Sequence, residues 1–144
     1  MAHNLTFLLC CTVGATALAG PTEQEKFLRP YCTDARSRLH MNLHDRTQVS
    51  GGQHYADPRP TELLGQKVQD ASRRLGLEGS LFVGIVVNRG GTLYDFSMVE
   101  NSGQPDLDKE AIHIFRTGQF TPGSINGVPS NFCAVFKVIF KLAR

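Results

Sequence analysis

The sequence predicts an α+β domain of two layers, a three-stranded antiparallel sheet in the order strand–strand–helix–strand packed on helices, with an N-terminal helical extension. Three observations predict it. Ser80 to Asn88 is an unbroken apolar, β-branched run, and after Arg89-Gly90-Gly91 a second run, Thr92 to Glu100, follows as its hairpin partner. From Asn131 to Leu142 the even positions Phe132, Ala134, Phe136, Val138 and Phe140 alternate with Cys133, Lys137 and Lys141, the period of a strand covered on one face. Two further stretches, 61–76 and 105–116, carry apolar residues at helical spacing. Strands and helices segregated in this way build an α+β layer architecture. A chain of 144 residues has room for one such domain and not for two.

Taken in order, residues 1–19 read as a signal peptide. Leu5 to Ala19 is apolar and uncharged and ends in Ala17-Leu18-Ala19, which makes Gly20 the mature N-terminus. A basic n-region is missing, with only the chain's own amine and His3 in its place. Retention as a membrane anchor is the alternative, although a span needs about 20 apolar residues and this run is shorter.

Residues 20–60 read as an N-terminal helical segment and linker. Tyr31, Cys32, Ala35 and Leu39 recur at helical spacing, with Pro30 suited to a first helical position. Asp45 to Pro60 has no periodicity and contains Gly51-Gly52, Pro58 and Pro60, a loop composition.

Residues 61–144 form the domain. Thr61 is the expected N-cap of a helix whose apolar stripe is Leu63, Leu64, Val68, Ala71 and Leu75, and Gly76 is its stop. The hairpin follows, with Gly91 supplying φ > 0 in its turn. Asn101-Ser102-Gly103 breaks the second strand. The helix from Pro105 to Arg116 has Asp106 and Asp108 in its first turn, Ser102 as a hydroxyl cap, Leu107, Ala111, Ile114 and Phe115 as its buried face, and Gly118 at its end. Thr121 to Pro129 is a Pro/Gly loop leading into the last strand.

Cysteine usage agrees with export. Cys10 and Cys11 leave with the signal, and Cys32 and Cys133 remain. One disulfide closing a loop of about 100 residues is expected in an oxidising compartment, the alternative being two separate buried thiols. Cys133 shares the sparsely covered, Lys-bearing face of the last strand. A Cys32–Cys133 bridge would therefore pin the N-terminal segment across the back of the sheet and cover Phe82 and Val86.

The chemistry-bearing residues point away from nucleic acid, metals, cofactors and catalysis. A net charge of +2 is too small to argue for a nucleic-acid partner. Arg73-Arg74 is the densest basic spot and reads as a solvated helix face. His40 and His44 are four apart, with Asp45 adjacent and His54 downstream. Zinc needs three or four ligands, and local geometry places only two, so polar residues near a helix end are expected and no metal. Neither a nucleophile elbow, an HExxH helix nor a phosphate-binding Gly loop is present, and Asp106 and Asp108 are accounted for by the helix dipole.

From Gly79 to Leu142 the chain resembles the C-terminal domain of the TonB family of Gram-negative envelopes. The resemblance rests on the GSLFVGIVVNRGGTLYDFSMV hairpin, on VENSGQPDLDKEAI, and on Phe120-Thr121-Pro122 after the helix. Family features fall on Gly91, Ser102-Gly103, Leu107-Asp108 and the aromatic-rich final strand. It covers a little under half of the chain, or more than half with Thr61 to Gly76 as the leading helix. The resemblance implies a periplasmic binding module and no enzyme. Its protein or peptide partner would add a strand at the last strand, at Asn131, Cys133, Val135, Lys137, Ile139 and Lys141. Lys137 and Lys141 read either as recognition residues for an acidic peptide or as gatekeepers against aggregation.

A family transducer also has a membrane anchor and a long Pro-rich spacer. Here the anchor reads as cleavable and the spacer as a short loop, so the resemblance implies fold and recognition rather than transport energised by this chain alone. Membrane contact is expected only if the signal is retained. The alternative function is a structural or accessory subunit of an envelope assembly, with the edge covered by the N-terminal segment or paired in a homodimer.

Overall fold

The computed structural model describes residues 23–48 and 52–142, so the expected signal peptide and its two cysteines lie outside the described residues. In chain order the elements are α1 (Glu23–Leu39), β1 (Tyr55–Ala56), β2 (Arg59–Pro60), α2 (Glu62–Leu75), β3 (Gly79–Val87) and β4 (Leu93–Glu100). They continue with α3 (Pro105–Thr117), β5 (Phe120–Thr121), β6 (Ser124–Ile125), β7 (Val128–Pro129) and β8 (Phe132–Phe140). A 3₁₀ turn occupies Arg46–Gln48.

The main sheet has the order β4-β3-β8, antiparallel throughout. Its central strand is buried on both faces, which is why Leu81 to Val87 is continuously apolar. Leu81, Val83, Ile85 and Val87 pack with Leu64, Val68 and Ala71 of α2, with Leu107, Ala111, Ile114 and Phe115 of α3, and with Ala134, Val138 and Phe140 of β8. Phe82 and Val86 point the other way, into a second cluster with Leu28, Tyr31, Cys32 and Ala35 of α1 and with Leu43, Cys133 and Val135. The α+β domain expected from the sequence is therefore observed, and its N-terminal extension adds a helix to the back of the sheet.

The bridge between Cys32 and Cys133 is formed, with the Cα atoms 5.8 Å apart. Gly84 makes close approach possible on this face. A Cβ there would lie 2.6 Å from the Tyr31 ring.

Local details differ from the sequence reading in several places. Helix α1 starts at Glu23 and contains Pro30 in its interior. A proline there forfeits one intrahelical hydrogen bond, and the buried stripe Leu28, Tyr31, Cys32 and Ala35, with acidic residues in the first turn and Arg36 and Arg38 in the last, outweighs that loss. The helix ends where His40 adopts φ 53°, so His40 and His44 do not share a helix face.

The segment read as a structureless loop carries β1 and β2, which pair with β6 and β5, and Pro58 within it is fully buried. The Pro/Gly loop from Thr121 likewise contains the β6–β7 hairpin. It turns at Asn126-Gly127 with φ 51° and 80°, the positive values that a two-residue hairpin requires.

Thr61 occupies the N-cap of α2 but its hydroxyl makes no capping bond, and Leu63 is 61% exposed, outside the stripe. Ser72 is buried in that stripe, its hydroxyl donating to Leu77 O. Ser102 does not cap α3, whose N-cap is Gln104. Instead the Asp108 carboxylate accepts from both the Ser102 N–H and its hydroxyl, tying the preceding loop to the helix. Gly118 ends α3 in extended backbone. The reason for glycine there is the neighbouring helix, because a Cβ would strike Leu64.

Candidate edge-strand site

The sheet has two edges, and they differ. Strand β4 pairs with β3 through two irregularities, between Phe82 and Val83 and between Val86 and Val87. Bulges of this kind twist a strand and blunt it as a template. Strand β8 pairs with β3 without a slip from Gly79↔Phe140 to Val87↔Phe132, so its outer side is a regular ladder.

In an antiparallel edge strand, alternate residues direct both backbone groups outward. The partners of β8 identify which residues these are. Asn131 O accepts from His44 N at 2.9 Å and Cys133 N donates to His44 O at 2.8 Å, a one-residue parallel bridge beside Phe132. Val135 O accepts from the side-chain amide of Gln24, in the first turn of α1. The outward residues are thus the odd ones, and the next two are Lys137 and Ile139.

The six residues expected at a partner-binding edge therefore fall into two groups. Asn131, Cys133 and Val135 already bond to the chain's own N-terminal segment, and Cys133 also carries the disulfide. Asn131 is engaged twice, its side-chain oxygen accepting from Arg89 N in the β3–β4 turn. Lys137, Ile139 and Lys141 are exposed, Ile139 at 59%, and among the described residues nothing pairs with their outward backbone groups. Lys137 Nζ lies 5.9 Å from the centroid of the Phe82 ring, which is itself 5.0 Å from that of Phe27. Among the described residues neither lysine has a carboxylate partner.

The covering segment is held by more than the disulfide. Arg36 donates to Leu43 O at 2.9 Å, to Asp45 at 2.6 Å and to Gln48 at 2.8 Å, fixing the turn that carries His44 to the edge. Burial pushes the Asp45 carboxyl up, but the bonds from Thr47 and Arg36 outweigh it and hold the group below the usual carboxylate range. From the middle of α1 the Tyr31 hydroxyl donates to Asp95 of β4 at 2.7 Å, and Arg38 in the last turn pairs with the same carboxylate at 3.0 Å. Burial, with the Asp95 bond second, drives the Tyr31 phenol far above its ordinary value. Asp95 is held low, the Arg38 and Tyr31 bonds overcoming its burial.

These polar tethers escaped the sequence reading. They involve isolated residues far apart in the chain, and only the Cys pair gave a signal. No group of three His, Cys, Asp or Glu side chains capable of holding a metal occurs among the described residues. Arg73 and Arg74 are occupied by Asp70 and by Glu110 of α3, as a solvated helix face requires. None of the described helices is long and apolar enough to cross a membrane.

A family model described as Gram-negative bacterial TonB protein C-terminal matches residues 70–142, just over half of the chain. The chain belongs to the TonB C-terminal family. Within this TonB-family chain, the matched residues run from the last turn and a half of α2 through all of β8. Helix α1 and the turn bearing His44 lie outside them, so the disulfide joins an unmatched residue, Cys32, to a matched one, Cys133. A solved structure, the solution NMR structure of the Pseudomonas aeruginosa TonB CTD, aligns over 72% of this chain and 98% of its own, with 16% identity and a TM-score of 0.40. A search of curated proteins finds no match.

Proposed function

We propose that this TonB-family domain is a periplasmic protein-binding module that takes up an extended segment of an envelope protein, such as an outer-membrane receptor, as an added strand on β8. It acts without cofactor or catalysis, in support of TonB-type transport. The observation that carries the reading is the unbulged outer ladder of β8, whose outward residues Lys137 and Ile139, with Lys141 just past its end, stay exposed. An exposed ladder supplies main-chain hydrogen bonds to any extended chain, and the alternate side chains select among them. Export through a cleaved signal at residues 1–19 is part of the same proposal, and the Cys32–Cys133 bridge supports it because such bonds persist in oxidising compartments.

A second reading is favoured by His44 and Gln24, which occupy the first half of the edge. In that reading the domain is a disulfide-stapled structural subunit of an envelope assembly, with the edge covered. An amide-shift titration of the oxidised protein with extended receptor-derived peptides separates the two. Saturable shifts on β8 support strand addition. Unmoved, exchange-protected amides along the whole strand turn the assignment to the structural subunit.

A further inference from the structure

The outer ladder of β8 is divided by the chain itself. Its first half is used: His44 takes Asn131 O and Cys133 N, and Gln24 takes Val135 O. A partner strand pairing there would have to displace a segment fixed by the disulfide to β8 itself and by Arg36 to Asp45 and Leu43 O. Its second half carries Lys137 and Ile139, with Lys141 just past the strand's end, and these side chains alternate onto one face, two residues apart. That face is covered over Cys133 and Val135 and open from Lys137 onward.

We infer that a partner strand pairs only with Lys137–Lys141, and that the partner is a short extended segment with an apolar residue flanked at two-residue spacing by acidic ones. The inference rests on the strand-addition reading above and adds to it a footprint and a partner chemistry. Residues directly opposite on neighbouring strands bring their Cβ atoms to about 5 Å. An acidic residue would then face each lysine and an apolar one would cover Ile139, the strand's only large hydrophobic left 59% exposed. Because lysines flank Ile139 symmetrically, the pattern is the same for a parallel or an antiparallel partner. The charges near this half agree. Lys26 of α1 sits 5.9 Å from the Phe27 centroid, and that ring packs on Phe82 beneath Lys137, so a third cation borders the opening. Of the acidic groups on this side, Glu78 accepts from Leu142 N, and Glu100 lies across β3 from Lys137, Glu100 and Lys137 both standing opposite Phe82 in register.

The test uses three peptides of one length with the pattern acidic–x–Ile–x–acidic, the same with serine for the acids, and the same with lysine. Each is titrated into the oxidised protein, and affinity is read from amide shifts. The acidic peptide is expected to bind best, with each exposed charge pair contributing about 2–5-fold, and the ranking should flatten in high salt. Shifts should be confined to Lys137–Lys141 and to the facing residues of β3. The variants K137E and K141E alter exposed side chains only, and together they should invert the ranking.

Equal affinity for the three peptides, an unchanged ranking in K137E/K141E, or shifts reaching Cys133 and Val135 in the oxidised protein would overturn this inference and leave strand addition standing. If no peptide moves any β8 amide, the strand-addition reading fails first and takes this inference with it.

Discussion

The two faces of the central sheet are closed by different means. Against α2 and α3 the closure is apolar side chain on apolar side chain, with Phe115 fully buried between Phe96 and Phe120. Against α1 the apolar contact is smaller, with a fully buried disulfide within it, and around it stand an ion pair from Arg36 to Asp45 and the Tyr31–Asp95–Arg38 group. The first face lies largely within the family-matched residues and would exist in any chain with the same core. The second depends on a helix outside the match, although Phe82, Val86 and Val135, which it buries, lie inside. The family-matched domain is thus covered on one face by a helix from outside the match, a lid held by specific bonds where the core is held by area.

Four perturbations bear on this difference. The largest effect is expected for Phe115→Ala. Truncating a buried aromatic costs about 3–5 kcal/mol, and urea unfolding should show a single transition at lower midpoint, since this face carries the fold. Next is the pair Cys32→Ala with Cys133→Ala. Loss of a long-loop disulfide costs about 2–4 kcal/mol, and hydrogen exchange should show protection falling in α1 before β3. Equal loss in both elements would mean that the lid and the core are one cooperative unit.

Gly84→Ala sharpens the comparison further. Its methyl enters the space of the Tyr31 ring, an overpacking worth about 1–3 kcal/mol. The cost should shrink in a Tyr31→Ala background, as a double-mutant cycle would measure. The smallest effect is expected for Asp45→Asn, about 1 kcal/mol at neutral pH. Because the folded protein holds the Asp45 carboxyl below its unfolded value, its contribution is present above about pH 4 and is lost as the pH falls through the lower, folded value. The variant's stability should therefore decline less steeply on acidification than that of the parent.

The core-forming elements were legible in the sequence because they are periodic. Leu107, Ala111, Ile114 and Phe115 repeat at helical spacing, and Phe132 to Phe140 alternates, so both faces of β8 could be assigned. Even the lid was partly readable, through two cysteines and the unexplained outward-facing Phe82 and Val86. What could not be read lacks a period. A single-residue bridge at His44 and one glutamine amide leave no pattern, yet they decide which half of the candidate edge is open. Pro30 misplaced the start of α1 because a local preference for the first turn was set against a buried stripe visible only once the sheet is present. Thr61 and Ser102 have the composition of caps, but which acceptor a short hydroxyl meets depends on a loop path that composition does not encode. Asn126-Gly127 is a hairpin signal that was in the sequence, obscured by the glycines and prolines around it.

The disulfide also sets an order of events during biosynthesis. Cys133 is made 101 residues after Cys32, and the domain's hairpin and two of its helices lie between them. Until then the docking surface of the helix that carries Cys32 does not exist. Sealing of the bond therefore waits on β8 reaching its register beneath α1, so the last strand made is the one that locks the first helix in place.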